Sequence, residues 1–298
     1  MIQKLLIFVV FLSTITFSQN RVFTQFYFDD DNEGQNTYKY YLGYSNDIQD
    51  NLQLGIMGGF RNYLMPDLSN NYKDVRPFAI YSPLDNLSIK ANASFLLSKD
   101  WNPVFYDGVI VYSPIDLLYF EGYVEHESVG SALTNEQKYI STISGVSMDV
   151  NPVDNITFSV GFSYNTIADT DIRTYQTYRA VYTLPFEWMF VDLKAKIMNG
   201  GDYNPYYFSP NSFGEYNGGI GINTQLFSPQ YYMKFYVGGG VQTVNDDTKG
   251  LFLSNIRLSG DFTPEWSAAL IYGVSNSIHN TYGSYFYNYG QIQINYRF

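Results

Sequence analysis

The sequence lacks cysteine altogether and holds only two histidines among its 298 residues. Without cysteine there can be no disulfide, no thiolate metal site and no lipid anchor attached through a thiol. Charged residues are also scarce, at 15% of the chain, where a soluble domain usually carries about a quarter. Past the N-terminus, no apolar run approaches the roughly 20 residues that a membrane-spanning helix requires. Polarity therefore comes mainly from tyrosine, asparagine, serine, threonine and glutamine.

The few charges are unevenly distributed along the chain. The formal net charge is −11, which argues against a nucleic-acid partner. Much of the acidic excess falls in predicted loops, such as residues 29–34 with the sequence DDDNEG. We interpret these acids as keeping exposed loops soluble, with a surface for divalent ions or a cationic partner as the alternative.

The N-terminus has the pattern of a secretory signal peptide. Lys4 supplies a positive charge, residues 5–17 form a short apolar core, and Ser18 offers a small residue for cleavage. This pattern predicts a cleaved signal peptide over residues 1–18 and a mature domain over residues 19–298. A retained membrane anchor is the alternative, and the apolar core is short for it.

The end of the chain, YGQIQINYRF, alternates strictly between apolar and polar residues. One face carries Ile292, Ile294, Tyr296 and Phe298, and the other carries Gln291, Gln293, Asn295 and Arg297. The same alternation returns in residues 87–97, 156–164 and 190–198. A period of two predicts β-strands with one apolar and one polar face. A soluble β-sandwich could alternate too, but it would not need so many tyrosines near its strand ends.

Short connectors rich in proline separate these strands at regular intervals, as in SPLDN, SPIDL, NPVDN, LPFEW and TPEW. Proline fixes φ and cannot donate to a strand ladder, so it marks strand boundaries. We predict about 16 strands, with 14 as the alternative count, and no helix after the signal peptide. The strands are predicted to start near residues 21, 37, 51, 74, 86, 103, 117, 138, 155, 172, 187, 213, 230, 249, 265 and 285. Loops at the opposite end are predicted near residues 29–36, 63–73, 98–102, 128–137, 167–171, 199–212, 244–248 and 276–284.

These features predict an all-β fold, namely a closed antiparallel transmembrane β-barrel in the bacterial outer membrane. A sheet that spans lipid must close because every backbone group has to be paired. A barrel of about 16 strands is wide enough for an aqueous lumen, and no long segment is available as a plug; whether the lumen is open stays undecided by the sequence. We expect aromatic girdles that include Trp188, Phe190, Tyr231, Tyr232 and Trp266. The final strand resembles the terminal signature of outer-membrane barrels, which implies that Ile294, Tyr296 and Phe298 are read by the barrel-assembly machinery.

The alternation also assigns side chains to the lumen. The predicted lumen acids are Asp107, Glu121, Glu125, Asp192 and Asp261. The predicted lumen bases are Lys39, Arg61, Lys90, Arg179, Lys194, Lys196, Lys234, Arg257 and Arg297. In the segment YFEGYVEHES, the carboxylates of Glu121, Glu125 and Glu127 share one face, where they could bind a cation or steer a basic solute. The alternative is that they pair with lumen lysines and arginines of neighbouring strands.

Nothing in the sequence has the pattern of an active site. His126 is predicted to face lipid and His279 to lie in a loop, and neither stands beside a recognisable nucleophile. The glycines at 238–240 lie in a predicted strand rather than before a helix, so they indicate close strand approach and not a phosphate loop. We therefore expect no enzymatic activity, no metal and no cofactor.

The segment GGDYNPYYFSPNSFGEYNGG, residues 200–219, is a predicted outer loop dense in aromatics. Its Tyr207-Phe208-Ser209-Pro210 core, with the later turn Thr263-Pro264-Glu265-Trp266, resembles the C-terminal barrel of exopolysaccharide secretins that export cellulose or poly-N-acetylglucosamine. Stand-alone YaiO-like outer-membrane barrels look similar. The secretins carry tetratricopeptide arrays that this chain lacks, so the resemblance implies a separate periplasmic repeat protein as partner.

The resemblance predicts an exopolysaccharide-export channel, and the alternatives are a general small-solute porin or a structural or adhesion barrel. Candidate contacts with a sugar are the loop aromatics and the charged lumen groups, because rings offer apolar faces while hydroxyls form hydrogen bonds. They are Tyr203, Tyr206, Tyr207, Phe208, Glu121, Glu125, Arg179, Lys194, Lys196 and Arg257. The loop aromatics could instead simply pack inside the barrel wall.

Overall fold

The structure is a computed structural model that describes residues 20–32, 34–168, 170–201, 204–277 and 286–298. The predicted signal peptide over residues 1–18, and the predicted positions Tyr203 and His279, lie outside the described residues. Among the described residues, no helix is long and apolar enough to cross a membrane.

Sixteen antiparallel strands form one closed barrel, as the alternation predicted. The strands are β1 (Asn20–Asp31), β2 (Asn36–Gln49), β3 (Leu52–Met65), β4 (Leu68–Leu84), β5 (Leu87–Leu97), β6 (Val104–Ile115), β7 (Leu118–Ser128), β8 (Ile140–Val153), β9 (Ile156–Ile167), β10 (Asp171–Thr183), β11 (Met189–Asn199), β12 (Ser212–Gln225), β13 (Tyr231–Val244), β14 (Asp247–Asp261), β15 (Trp266–Ser275) and β16 (Tyr287–Arg297). One short helix, α1 (Ala132–Glu136), lies between β7 and β8.

Each strand pairs with its neighbours in sequence, and β1 closes the ring by pairing with β16 from Arg21↔Arg297 to Asp31↔Tyr287. Because the number of strands is even, β1 begins and β16 ends at the same end of the barrel. We call this end the turn side, since its connections are short; residues 50–51 between β2 and β3 are one example. The opposite end, with residues 129–139 and 200–211, is the loop side.

The two faces of the wall differ as the alternation predicted. The outer face exposes large apolar side chains such as Leu54, Ile56 and Phe60, which suits contact with lipid. The inner face is identified by contacts between strands that are not neighbours. Lys39 on β2 reaches Glu127 on β7 at 3.3 Å, and such a contact is possible only across the interior.

Two predictions about the loop side are wrong. Residues 63–73 are not a loop, because β3 and β4 extend through most of this segment. The turn between the two strands consists of Pro66 and Asp67 alone. The polar, asparagine-rich residues after the turn belong to β4 and pair with β3. A strand ladder can continue in this way beyond the lipid. Helix α1 was not expected either; Ser131 caps it by accepting a hydrogen bond from the backbone N–H of Thr134 at 3.0 Å.

Candidate functional site: the lumen and its loop-side mouth

A buried ionic cluster joins strands β2 to β7 near the loop side. The Arg61 side chain is fully buried and donates to the Asp74 carboxylate at 2.7 Å, to Ser94 Oγ at 2.8 Å and to Glu127 at 2.5 Å. Asp74 also accepts hydrogen bonds from the Tyr41 hydroxyl at 2.9 Å and from Ser94 Oγ at 2.6 Å. These bonds tie five strands, β2 to β5 and β7, together across one sector of the lumen. Glu127 thus pairs across the interior, not with a neighbouring strand as one alternative held.

Helix α1 folds into the lumen above this cluster. Ala132 is buried against the lumen-facing rings of Tyr63, Tyr72 and Phe105 and against Leu96. Tyr72 and Phe105 both pack edge-on against Trp101, at ring distances of 6.2 and 5.9 Å. Burial of these aromatic and aliphatic groups holds the β7–β8 loop inside the mouth. The loop side is therefore narrowed by an inward segment.

The described part of the β11–β12 loop, residues 200–201 and 204–211, folds inward from the other side. Asn204 and Ser209 fasten its turn: Ser209 Oγ accepts from the Asn204 N–H at 2.6 Å and donates to the Asn204 carbonyl at 3.0 Å. Arg173 on β10 donates to the Phe208 carbonyl at 2.6 Å and lies 5.2 Å from the centre of the Tyr207 ring. The Arg173 side chain is held in turn by an ion pair with Asp171 at 2.5 Å.

Tyr207 is the central contact of this loop with the wall. Its ring is buried, and burial together with the nearby charge of Asp171 raises the pKa of Tyr207 to about 12. The hydroxyl therefore stays protonated at any physiological pH. Phe208 packs edge-on against Phe213, which faces the lumen on β12, at 5.6 Å.

The two inward loops meet at Tyr139. Its ring lies 5.8 Å from those of both Tyr206 and Tyr207, in edge-on geometry. A cavity of about 540 Å³ lies between the loops and the wall, with Glu125, Glu127, Asn165, Arg173 and Tyr207 among its lining residues. Of the predicted loop aromatics, the structure therefore brings Tyr206, Tyr207 and Phe208 to the mouth. They brace the wall and, in the case of Tyr206, also stay partly exposed.

Strands β10 to β14 form a basic wall lower in the lumen. Arg179 and Lys194 both bind Asp192, at 2.7 and 3.2 Å, and Asp192 is almost fully buried. Lys234 and Arg257 face each other across the β13–β14 ladder. We use the name basic wall for Arg179, Lys194, Lys234 and Arg257 together with Asp192.

Strands β6 and β7 carry the acidic side of the lumen. Asp107 and Glu125 are opposite each other in register and share the lumen face with Glu121. Asn92 donates to Asp107 at 2.5 Å and Tyr119 to Glu121 at 3.3 Å. A group of at least three carboxylates, histidines or cysteines able to hold a metal ion does not occur among the described residues.

Strands β15, β16 and β1 carry uncharged polar side chains along the middle of their lumen face. Gln293 pairs with Gln25 in register and donates to Asn295 at 2.9 Å, and Asn295 donates to Ser267 at 3.0 Å. Tyr287 and Tyr289 stack at 5.9 Å on the same strand. The lumen thus offers amide and phenol groups along its length on this side. We call Gln25, Gln291, Gln293 and Asn295 the amide track.

Several predicted residues lie on the outer face. His126 stacks on Tyr106 at 4.7 Å and is within 2.8 Å of Thr142 Oγ1, so it points to the lipid side as predicted. Trp266 contacts Tyr296 at 4.7 Å, and Tyr296 stacks on Phe298 at 5.7 Å. Ile294 shares this outer face by register. Their position on the outer face does not test whether Ile294, Tyr296 and Phe298 are read by the assembly machinery, so that role stays a prediction.

One residue expected in the aromatic girdle does not lie there. The predicted set of lumen residues was also incomplete. Phe190 is buried on the lumen side, where its ring covers Gly221 and stacks with Tyr236 at 6.4 Å. The sequence contained a signal for this placement, because Phe190 lies two positions from Asp192, which was predicted to face the lumen. Asp74 and Arg173 were missed as lumen residues, although each lies two positions from a residue of the same face, Tyr72 and Tyr175.

A closed sixteen-strand wall with an apolar outside and a polar inside defines an outer-membrane β-barrel, and the protein is located in the bacterial outer membrane. No protein-family model matches the chain, and no curated protein matches it by sequence.

Solved structures match in fold. A bacterial polysaccharide outer membrane secretin is 11% identical, with 94% of this chain and 98% of that chain covered, at a TM-score of 0.74. The outer membrane protein OprD from Pseudomonas aeruginosa is 10% identical, with 94% of each chain covered, at a TM-score of 0.51. At these identities the likeness is one of fold, and it confirms the barrel architecture expected from the resemblance to secretin barrels.

Proposed function

We propose that the protein is an outer-membrane channel through which a polysaccharide chain passes. The observation that carries the proposal is the amide track, with Tyr287 and Tyr289 beside it. Glutamine and asparagine side chains can both donate and accept, so they can follow hydroxyl groups of changing orientation. Tyrosine adds a flat apolar face and a hydroxyl. The proposal is also supported by the fold match to a polysaccharide secretin.

A periplasmic repeat protein is part of the proposal, because a barrel alone supplies no force or direction to a polymer. Such a partner would present the chain to the turn side. The inward loops would then form the last contact before release, with the rings of Tyr206 and Tyr139 at the exit. The proposal assigns no chemical step to the barrel.

The experiment is blockade of single-channel current by a neutral oligosaccharide, such as a cello-hexaose, in planar bilayers. We expect wild-type protein to show concentration-dependent interruptions. The double substitution Gln291→Leu/Gln293→Leu removes hydrogen bonds of about 1 kcal/mol each and should weaken the blockade about thirtyfold. Gln176→Leu is the matched control, because Gln176 lies on the outer face of β10.

Two outcomes would contradict the proposal. Conductance that no oligosaccharide interrupts would favour the small-solute porin, the reading that the fold likeness to OprD supports. The absence of any single-channel current, both in wild type and in a variant whose β11–β12 loop is released, such as Arg173→Gln, would favour a structural barrel. Equal blockade in the Gln176→Leu and double variants would remove the amide track from the pathway.

A further inference from the structure

The basic wall carries a surplus of positive charge. The cations Arg179, Lys194 and Lys234 lie near the carboxylate of Asp192, and Arg257 lies opposite Lys234 in register. Asp149 on β8 is a second carboxylate near Arg179. Arg179 takes both oxygens of the Asp192 carboxylate, with bonds of 3.0 Å and 2.7 Å. Lys194 makes a further contact to it at 3.2 Å. The acceptor capacity of Asp192 is therefore largely used by two of the four cations.

Lys234 and Arg257 are left without an ion pair among the described residues. They are directly opposite each other in the β13–β14 register, and both side chains are exposed to the lumen. Like charges directly opposite in a ladder repel each other and destabilise the pair. A wall that keeps this arrangement presents two free cations side by side to whatever enters the lumen.

Rings next to the cations give this site an apolar floor. Phe190 and Tyr236 stack at 6.4 Å, Lys234 lies 5.5 Å from the Phe190 ring, and Lys194 lies 4.9 Å from the Tyr236 ring. The two lysines are thus held against buried rings. Packing of an ammonium group on a ring fixes the position of its charge on the wall.

The opposite side of the lumen has the opposite charge. Glu121 on β7 and Arg257 on β14 are almost half a turn apart in the sixteen-strand ring. The carboxylates on β6 and β7 would repel an anion and direct it to the basic wall. Both ends of this charge separation face the lumen, so it acts on a molecule inside the barrel.

We propose that the basic wall is a binding site for the acidic groups of an anionic saccharide, with Lys234 and Arg257 as its principal ligands. This inference rests on the proposed function, because it specifies the class of polysaccharide that passes. The saccharide's carboxylate or sulfate takes the place of the missing counter-charge between Lys234 and Arg257. The site lies close to the turn side, since Lys234 follows the start of β13 by a few residues.

The test is calorimetric titration of the detergent-solubilised full barrel with trigalacturonate, maltotriose and sodium sulfate, at low and high salt. We expect trigalacturonate to bind at least tenfold more tightly than maltotriose, and its affinity to fall with salt. Lys234→Gln/Arg257→Gln should weaken trigalacturonate binding by about tenfold or more, since hydrogen bonds to charged groups are the stronger ones. Lys90→Gln, a lumen lysine on β5, is the control and should change binding less than about twofold.

Three results would overturn the inference. Equal affinity for trigalacturonate and maltotriose would show that charge plays no part, while leaving current blockade by neutral sugars, and hence the proposed function, untouched. Sulfate binding as tight as trigalacturonate would reduce the site to one for small free anions. An equal loss in Lys90→Gln would mean that the total lumen charge matters and not this site. Circular dichroism of each variant separates lost binding from lost folding.

Discussion

At the scale of single residues, the lumen contains charges that water barely reaches. Arg61 and Asp74 have fully buried side chains, and each is satisfied by several bonds. A buried ion pair contributes little when intact, because desolvation offsets the attraction between the charges. Removal of one partner is costly, because the other charge stays buried alone. Arg61 should therefore be the lumen residue whose loss affects stability most.

We predict that Arg61→Gln lowers the free energy of unfolding of the barrel by about 3–5 kcal/mol. The double substitution Arg61→Gln/Asp74→Asn should recover much of this loss, since no carboxylate is then left unpaired: Glu127 keeps its ion pair with Lys39. Urea titration of barrels folded in lipid vesicles, followed by tryptophan fluorescence, measures the effect. Lys90→Gln removes an exposed lumen charge and should stay within about 0.5 kcal/mol of wild type. A loss in Arg61→Gln no larger than in Lys90→Gln would contradict the argument.

At the scale of the elements, strands were predictable and inward loops were not. Alternation with period two persists along every lipid-crossing strand because lipid and lumen lie on opposite sides of one wall. Where strands run beyond the lipid, as in residues 68–73, this constraint ends and the pattern fades. Helix α1 depends on a contact of Ala132 with rings that are distant in sequence, such as Phe105. Local pattern cannot reveal such a partner.

In the candidate site too, the faces of strand residues were predictable, whereas contacts across the lumen and the direction of the loops were not. The period-two alternation along each strand was enough to place four charged residues on the inner face, because it depends only on adjacent residues. These residues are Glu121, Arg179, Lys194 and Arg257. The alternation could not show that Glu127 reaches β2 and β3, because that contact depends on the curvature of the whole ring. Nor could it show whether the aromatics of residues 200–211 point inward or outward, since a loop has no period.

Arg173 is the residue that holds the β11–β12 loop against the wall. We predict that Arg173→Gln releases this loop and widens the mouth. It removes the bond to the Phe208 carbonyl and the cation beside the Tyr207 ring. Loss of a charge-assisted bond of about 1.5 kcal/mol or more should raise the population of the released loop about tenfold. Single-channel recording should show longer or larger open events than in wild type.

Lys196→Gln serves as the control for this variant, because it removes a lumen cation of β11 that makes no contact with the loop in the described residues. Arg173→Gln/Asp171→Asn tests whether the unpaired Asp171 carboxylate, rather than the freed loop, is responsible. Conductance identical in wild type and Arg173→Gln would show that the loop is held by its buried rings alone.

At the scale of the whole molecule, the barrel exists only if its last strand meets its first. The β1–β16 seam joins residues from opposite ends of the chain, and Phe298 ends it by exchanging two backbone hydrogen bonds with Asn20, at 3.0 and 3.2 Å. Every other strand pair is local in sequence and can form as a hairpin. Closure of the seam is therefore the step that commits the sheet to a membrane.

We predict that Phe298→Ala slows assembly of the barrel without changing the barrels that form. Phe298 is 61% exposed and, among the described residues, its ring stacks on Tyr296 alone, so folded stability should change little. The yield of heat-modifiable barrel in cells, read on gels at early times after induction, should fall, whereas the conductance of purified barrels should match wild type. Phe262→Ala is a matched control, because Phe262 is equally exposed, at 61%, at the same end of the barrel. An equal fall in both variants would assign the effect to the aromatic girdle in general and not to a terminal assembly signal.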